Sequence, residues 1–102
     1  MKPKQLRIGT TFYDIRYSKK VICEEGELLG DIDLNSLIRI DSSVPHSKQL
    51  HTLFHEVTHG ISEEMYLNLN EQKTTLIANA YYNFIIDNPD YIKEILKSFE
   101  NK

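Results

Sequence analysis

The sequence predicts an α+β fold: a small N-terminal antiparallel or mixed β-sheet packed on one helix that carries the chemistry, followed by two C-terminal helices. Three observations lead there. Apolar residues alternate with polar ones as far as Val44–Pro45, and after Pro45 they recur every three to four positions. The strand-like segments all precede the helical ones, which argues for segregated strands and helices rather than βαβ units.

Taken in order, Tyr13, Ile15 and Tyr17 alternate with Asp14 and Arg16, the period of two of a half-buried strand. Val21-Ile22-Cys23 is a short apolar run closed by the turn signal Glu24-Glu25-Gly26-Glu27. Leu28 to Asp33 and Leu37 to Asp41 flank Leu34-Asn35-Ser36 and read as a hairpin, with Ile38 and Ile40 facing in and Arg39 and Asp41 facing out. Beyond Pro45, the stripe Leu50, Phe54, Val57 and Ile61 is expected to press a helix against the sheet; Gly60 and Ser62 suggest that this helix frays or ends soon after His59, although Glu63 to Leu67 could extend it. Asn68-Leu69-Asn70 supplies capping side chains for a second helix whose inner face reads Leu76, Ile77, Ala80, Tyr81, Phe84 and Ile85. Asp87-Asn88-Pro89-Asp90 stops it. Pro89 suits the first turn of a third helix, with Ile92, Ile95, Leu96 and Phe99 inside.

No repeat, low-complexity tract or linker interrupts the chain, so residues 1–102 read as one domain. Twelve basic against fifteen acidic side chains leave a net charge of −3, without the basic footprint that nucleic acid or an anionic membrane requires. No apolar run approaches the roughly 20 residues of a membrane span. The basic start, Met1 to Arg7, has no apolar stretch behind it and reads as no secretory signal. The one cysteine, Cys23, cannot form an internal disulfide and is expected to be a small buried hydrophobe; a reducing, cytoplasmic setting fits.

All four histidines, His46, His51, His55 and His59, fall within 14 positions. His55-Glu56-Val57-Thr58-His59 is H-E-x-x-H inside the first predicted helix. Residues four apart share a helix face about 6 Å apart along the axis, so two imidazoles can converge on one Zn²⁺. Glu56, one position round, then stands beside the metal, placed to act as general base on a metal-bound water and to hand the proton to a leaving amine. A straight helix supplies two ligands only, because His51 is about 12 Å along the axis from His59. His51 and His46 are expected to line the approach or face solvent. Downstream candidates for a third ligand are Glu63, Glu64, Glu71, Asp87 and Asp90. Glu63 and Glu64 require the helix to break after His59, while Glu71 opens the second helix, where an acid is favoured by the helix dipole in any case. Among Tyr66, Tyr81, Tyr82 and Tyr91, a phenol near the metal could stabilise an oxyanion, although core or rim positions are expected for most.

The segments Leu53-Phe54-His55-Glu56-Val57-Thr58-His59-Gly60-Ile61, Leu76-Ile77-Ala78-Asn79-Ala80-Tyr81-Tyr82 and Asp87-Asn88-Pro89 resemble the small zinc metallopeptidase-like proteins of phages and prophages. Those are similar to ImmA/IrrE-type metallo-endopeptidases of the gluzincin class. The likeness extends to Gly30-Asp31-Ile32-Asp33 and Ile38-Arg39-Ile40. It implies a minimal zincin-like fold, zinc on His55, His59 and Glu71, Glu56 as catalytic base, and Leu37 to Asp41 as the sheet edge that receives an extended substrate. One departure is Thr75, which stands where many such proteins carry an acid, three positions before the Ala-Asn pair. The expected activity is that of a zinc-dependent endopeptidase acting on a protein or peptide, of which an intracellular regulatory protein is the type that the resemblance implies. The alternative is a catalytically silent zinc-binding module that grips a protein partner.

Overall fold

The computed structural model describes residues 2–19, 21–23, 26–33 and 36–100, with no side-chain description for residues 21–28. It is α+β, a four-stranded mixed sheet followed by three helices. β1 (Gln5–Ile8) pairs antiparallel with β2 (Thr11–Ser18) across a tight turn at Gly9. β3 (Val21–Cys23) and β4 (Gly26–Leu28) form a separate antiparallel ribbon. The Cys23 side chain and the loop residues Leu34 and Asn35 lie outside the described residues. β5 (Gly30–Asp33) and β6 (Leu37–Asp41) make the expected hairpin, and β6 then runs parallel to β2, giving the order β1-β2-β6-β5.

That order overturns one expectation. Leu37 to Asp41 is not an edge: Ile38 has Ile15 of β2 on one side and Ile32 of β5 on the other. Ile38 and Ile40 are wholly buried as a result, at the centre of a core that includes Ile8, Tyr13, Ile15 and Leu53. The free edge on this side of the sheet is β5.

α1 (His46–Glu64) lies across the sheet. Toward the sheet it turns Gln49, Leu53, Glu56 and Gly60, and of the stripe Leu50, Phe54, Val57 and Ile61 only Val57 packs on the sheet core. The helix is turned about one residue further round, so that Phe54 meets Tyr82 of the second helix and Ile61 stands at the surface. α1 runs on past Gly60 to Glu64, the extension that Glu63 to Leu67 allow. A Cβ on Gly60 would stand 2.7 Å from Cδ1 of Ile8 and 3.1 Å from Cδ1 of Ile32, so this glycine lets helix and sheet approach closely. Gly30 plays the same part from the sheet: a Cβ on it would be 2.8 Å from Cγ2 of Thr52 and 3.0 Å from the carbonyl oxygen of Arg39. At the far end, the Tyr13 hydroxyl reaches Oε1 of Glu64 at 3.5 Å. Burial, reinforced by Glu64, holds that phenol above its usual range.

α2 (Glu71–Asp87) is capped by Asn70, whose side chain accepts from the Lys73 N–H at 2.8 Å. It meets α1 through the small residues Thr74 and Ala78, both completely buried, and not through Leu76, Ala80, Tyr81 and Phe84, which are exposed. Of the face expected inside, only Ile77 and Ile85 are half-buried. α3 (Pro89–Glu100) has no buried residue at all, so Ile95, Leu96 and Phe99 also stand at the surface. Amphipathic spacing marks an apolar face without supplying the surface that covers it. No helix among the described residues is long and apolar enough to cross a membrane.

Candidate metal centre

Two elements build the site. Four-residue spacing on α1 points His55 and His59 the same way, and their rings meet edge-on with centroids 4.9 Å apart. The chain then leaves α1 through Met65 and Tyr66, the latter in the left-handed region at φ 55°, and returns within six residues. Ser62, buried near the end of α1, ties this return down: its carbonyl accepts from the Leu67 N–H at 2.9 Å and its hydroxyl from the Leu69 N–H at 3.0 Å. Asn70 caps α2 immediately afterwards, so Glu71 is delivered as its first residue over the two imidazoles.

Glu71 straddles them. Oε1 lies 2.8 Å from Nε2 of His55, and Oε2 lies 2.7 Å from Nε2 of His59. A carboxylate only accepts, so each Nε2–H donates, and a metal ion entering here must displace both protons. The three donors lie within 4.8 Å of one another, against about 3.4 Å between ligands of a tetrahedral ion with bonds near 2.1 Å. Side-chain adjustment of about 1 Å closes the difference. Two imidazoles and one carboxylate form the mixed N/O set that divalent transition metals accept, with a coordination position left for a water or a substrate.

Glu56 sits beneath this group and is buried among sheet residues, only 7 % exposed. Burial, then the nearby carboxylates of Glu71 and Asp31, push its acid from 4.5 up to about 8. Asp31 is held on the edge strand by Arg39 of β6, whose Nε donates to Oδ1 at 2.9 Å while Nη2 pairs with Oδ2.

A cleft passes through the site along β5. On one side it is lined by Asp31 and Ile32 with Glu56 and His59; on the other by Leu29, Lys48, His51, Thr52 and Asn79. Gly30, His55, Glu56 and Glu71 belong to both. No family model, curated protein or solved structure matches the chain.

The structure brings His55, Glu56, His59 and Glu71 together and leaves the other candidates apart. α1 continues through Glu63 and Glu64, which keeps both on the helix beyond the site, and Asp87 and Asp90 flank Asn88 at the far end of α2. Thr75 is half-buried in α2, one turn past Glu71. His46 is exposed at the start of α1, whereas His51 lines the cleft, its Nε2 2.8 Å from Oδ1 of Asn79 and its ring stacked on Tyr82 at 4.6 Å. Tyr66, Tyr81 and Tyr91 are exposed and line no part of the cleft. Residue spacing did not single out Asn79 or the Asp31–Arg39 pair. Asp31 and Arg39 are cross-strand partners, a relation that the hairpin register alone contained.

Proposed function

We propose that the protein is a zinc-dependent peptidase. The observation that carries this reading is the convergence of His55, His59 and Glu71 beside a buried Glu56 and under an open strand edge. Two histidines and a glutamate would hold the ion, which when bound supplies Lewis acidity toward a water and a peptide carbonyl. Glu56 would take a proton from the attacking water and deliver it to the departing amine. Its burial and the neighbouring carboxylates favour the neutral acid, which suits the second transfer, and the charge of a bound cation would favour the carboxylate needed for the first. β5 aligns an extended peptide by strand addition, with Asp31 and Ile32 on one side of the metal and His51 and Lys48 on the other. His51, whose Nε2–H is held by Oδ1 of Asn79 and whose ring stacks on Tyr82, walls the cleft on that side. The resemblance to ImmA/IrrE-type endopeptidases supports the same roles.

The test is zinc content followed by digestion of a peptide library with wild type and Glu56→Gln. Stoichiometric zinc in both, with cleavage by wild type alone, supports the peptidase. Stoichiometric zinc in both and cleavage by neither refutes it and leaves the zinc-stabilised binding module. Absence of zinc under saturating conditions refutes both.

A further inference from the structure

α3 and a groove on the opposite side of α1 from the sheet complement each other without meeting. The groove is an open apolar cavity of about 540 Å³ between α1, the return loop and α2, lined by residues that include Ile61, Leu67, Leu69, Ile77, Tyr81 and Ile85. No residue of α3 lines it. α3 presents Ile92, Ile95 and Leu96 on one face, with Leu96 60 % exposed, and buries nothing. Its described link to the body includes the Phe84–Tyr91 ring contact at 6.1 Å. The radius of gyration, 14.2 Å, exceeds the roughly 13 Å of a compact chain this long, as a projecting helix requires.

The connection explains why the two do not meet. α2 ends at Asp87 and α3 begins at Pro89, leaving Asn88 alone between them. Helices that fold back on each other need at least two linking residues, and a residue before proline is kept out of the helical region, as Asn88 is at φ −132° and ψ 53°. α3 is thereby aimed away from its own groove.

We infer that α3 of one copy of this chain seats in the groove of a second copy, and reciprocally, forming a two-fold dimer. One apolar helix face and one apolar groove per chain satisfy each other in such a pair, and two seatings would bury on the order of 1,500 Å², the size of a standard stable interface. None of the residues that line this groove is a ligand of the metal centre.

Sedimentation velocity on the full chain, from about 1 to 100 µM, tests it. Wild type is expected at twice the chain mass. Leu96→Glu on the helix and Tyr81→Glu in the groove alter exposed side chains, so each is expected to keep wild-type helical circular dichroism and to run as a monomer. Leu67→Glu is the second groove variant should Tyr81→Glu lose its fold. Mixing Leu96→Glu with Tyr81→Glu leaves one intact seating per pair and is expected to restore dimer at higher concentration. A monomeric wild type at 100 µM overturns the inference. So does a dimer that Leu96→Glu breaks and both groove variants spare, because that pattern belongs to α3 pairing with α3.

Discussion

The Ser62 hydroxyl accepts a hydrogen bond from the Leu69 N–H at 3.0 Å, and this bond determines where α2 starts above His59. Ser62 touches no ligand, yet it anchors the loop that delivers one. Ser62→Ala leaves a part-buried N–H without its acceptor, at a cost of about 1 to 2 kcal/mol. The expected outcome is a zinc affinity lowered about tenfold in competition titrations with a chromogenic chelator, with a modest loss of thermal stability.

The three ligand positions are expected to respond unequally. His55→Ala and His59→Ala each remove a nitrogen from the helix and should abolish stoichiometric zinc. Glu71→Ala retains the paired imidazoles and is expected to keep binding that is weaker by about 100-fold. Isothermal titration of apo-protein with zinc ranks them, and equal loss at all three would show that the site is less asymmetric than its two-helix construction implies.

Glu56 makes the metal-free protein pH-sensitive. Its acid is raised from 4.5 to about 8 by burial first and by Glu71 and Asp31 next, so the folded state holds this proton more tightly than the unfolded chain does. The stabilisation is complete below pH 4.5 and is lost as pH rises through 8, a swing of a few kcal/mol at most. Thermal melts in chelator are expected to show wild type losing stability across that interval relative to Glu56→Gln. Saturating zinc should flatten the difference, since a neighbouring cation favours the carboxylate.

Gly60 sits against Ile8, and the two should be energetically coupled. In Gly60→Ala the new methyl meets Cδ1 of Ile8 at 2.7 Å, and an overpacking cost of about 1 to 3 kcal/mol exceeds the helix-propensity gain of about 1. In an Ile8→Val background the nearer obstructing carbon is gone and only Cδ1 of Ile32, at 3.1 Å, must give way, so the same substitution is expected to cost less than it does in wild type. Denaturant melts of the four proteins in the cycle give the coupling directly.

Much of this architecture was legible in the residues. The alternation at Tyr13, Ile15 and Tyr17, the β5–β6 hairpin, the cap at Asn70 and the helical H-E-x-x-H spacing depend on local chemistry, and the structure has each of them. What could not be read depends on distant partners. β6 and β5 alternate alike, and only the parallel pairing of β6 with β2 across the intervening ribbon makes β6 central. The burial of Glu56 follows from α1 turning its Gln49–Gly60 face to the sheet, a rotation decided by where α2 docks. Periodicity places Leu76, Tyr81 and Leu96 in a core, and they lie on a surface because nothing within the described chain covers them.

The open edge of β5 also bears on how the protein avoids itself. Unpaired strand edges recruit other edges, and sheets that join this way aggregate. β5 has only four residues, Gly30-Asp31-Ile32-Asp33, with aspartates at alternate positions on one face. Laying two copies edge to edge would crowd the Asp31–Arg39 pair and the Asp33 carboxylate of each into one seam, and so short an edge offers few backbone bonds in return. The strand that offers a foreign peptide a place to lie thus discriminates against its own kind, and neutralising Asp31 and Asp33 together is the change that would remove this self-exclusion.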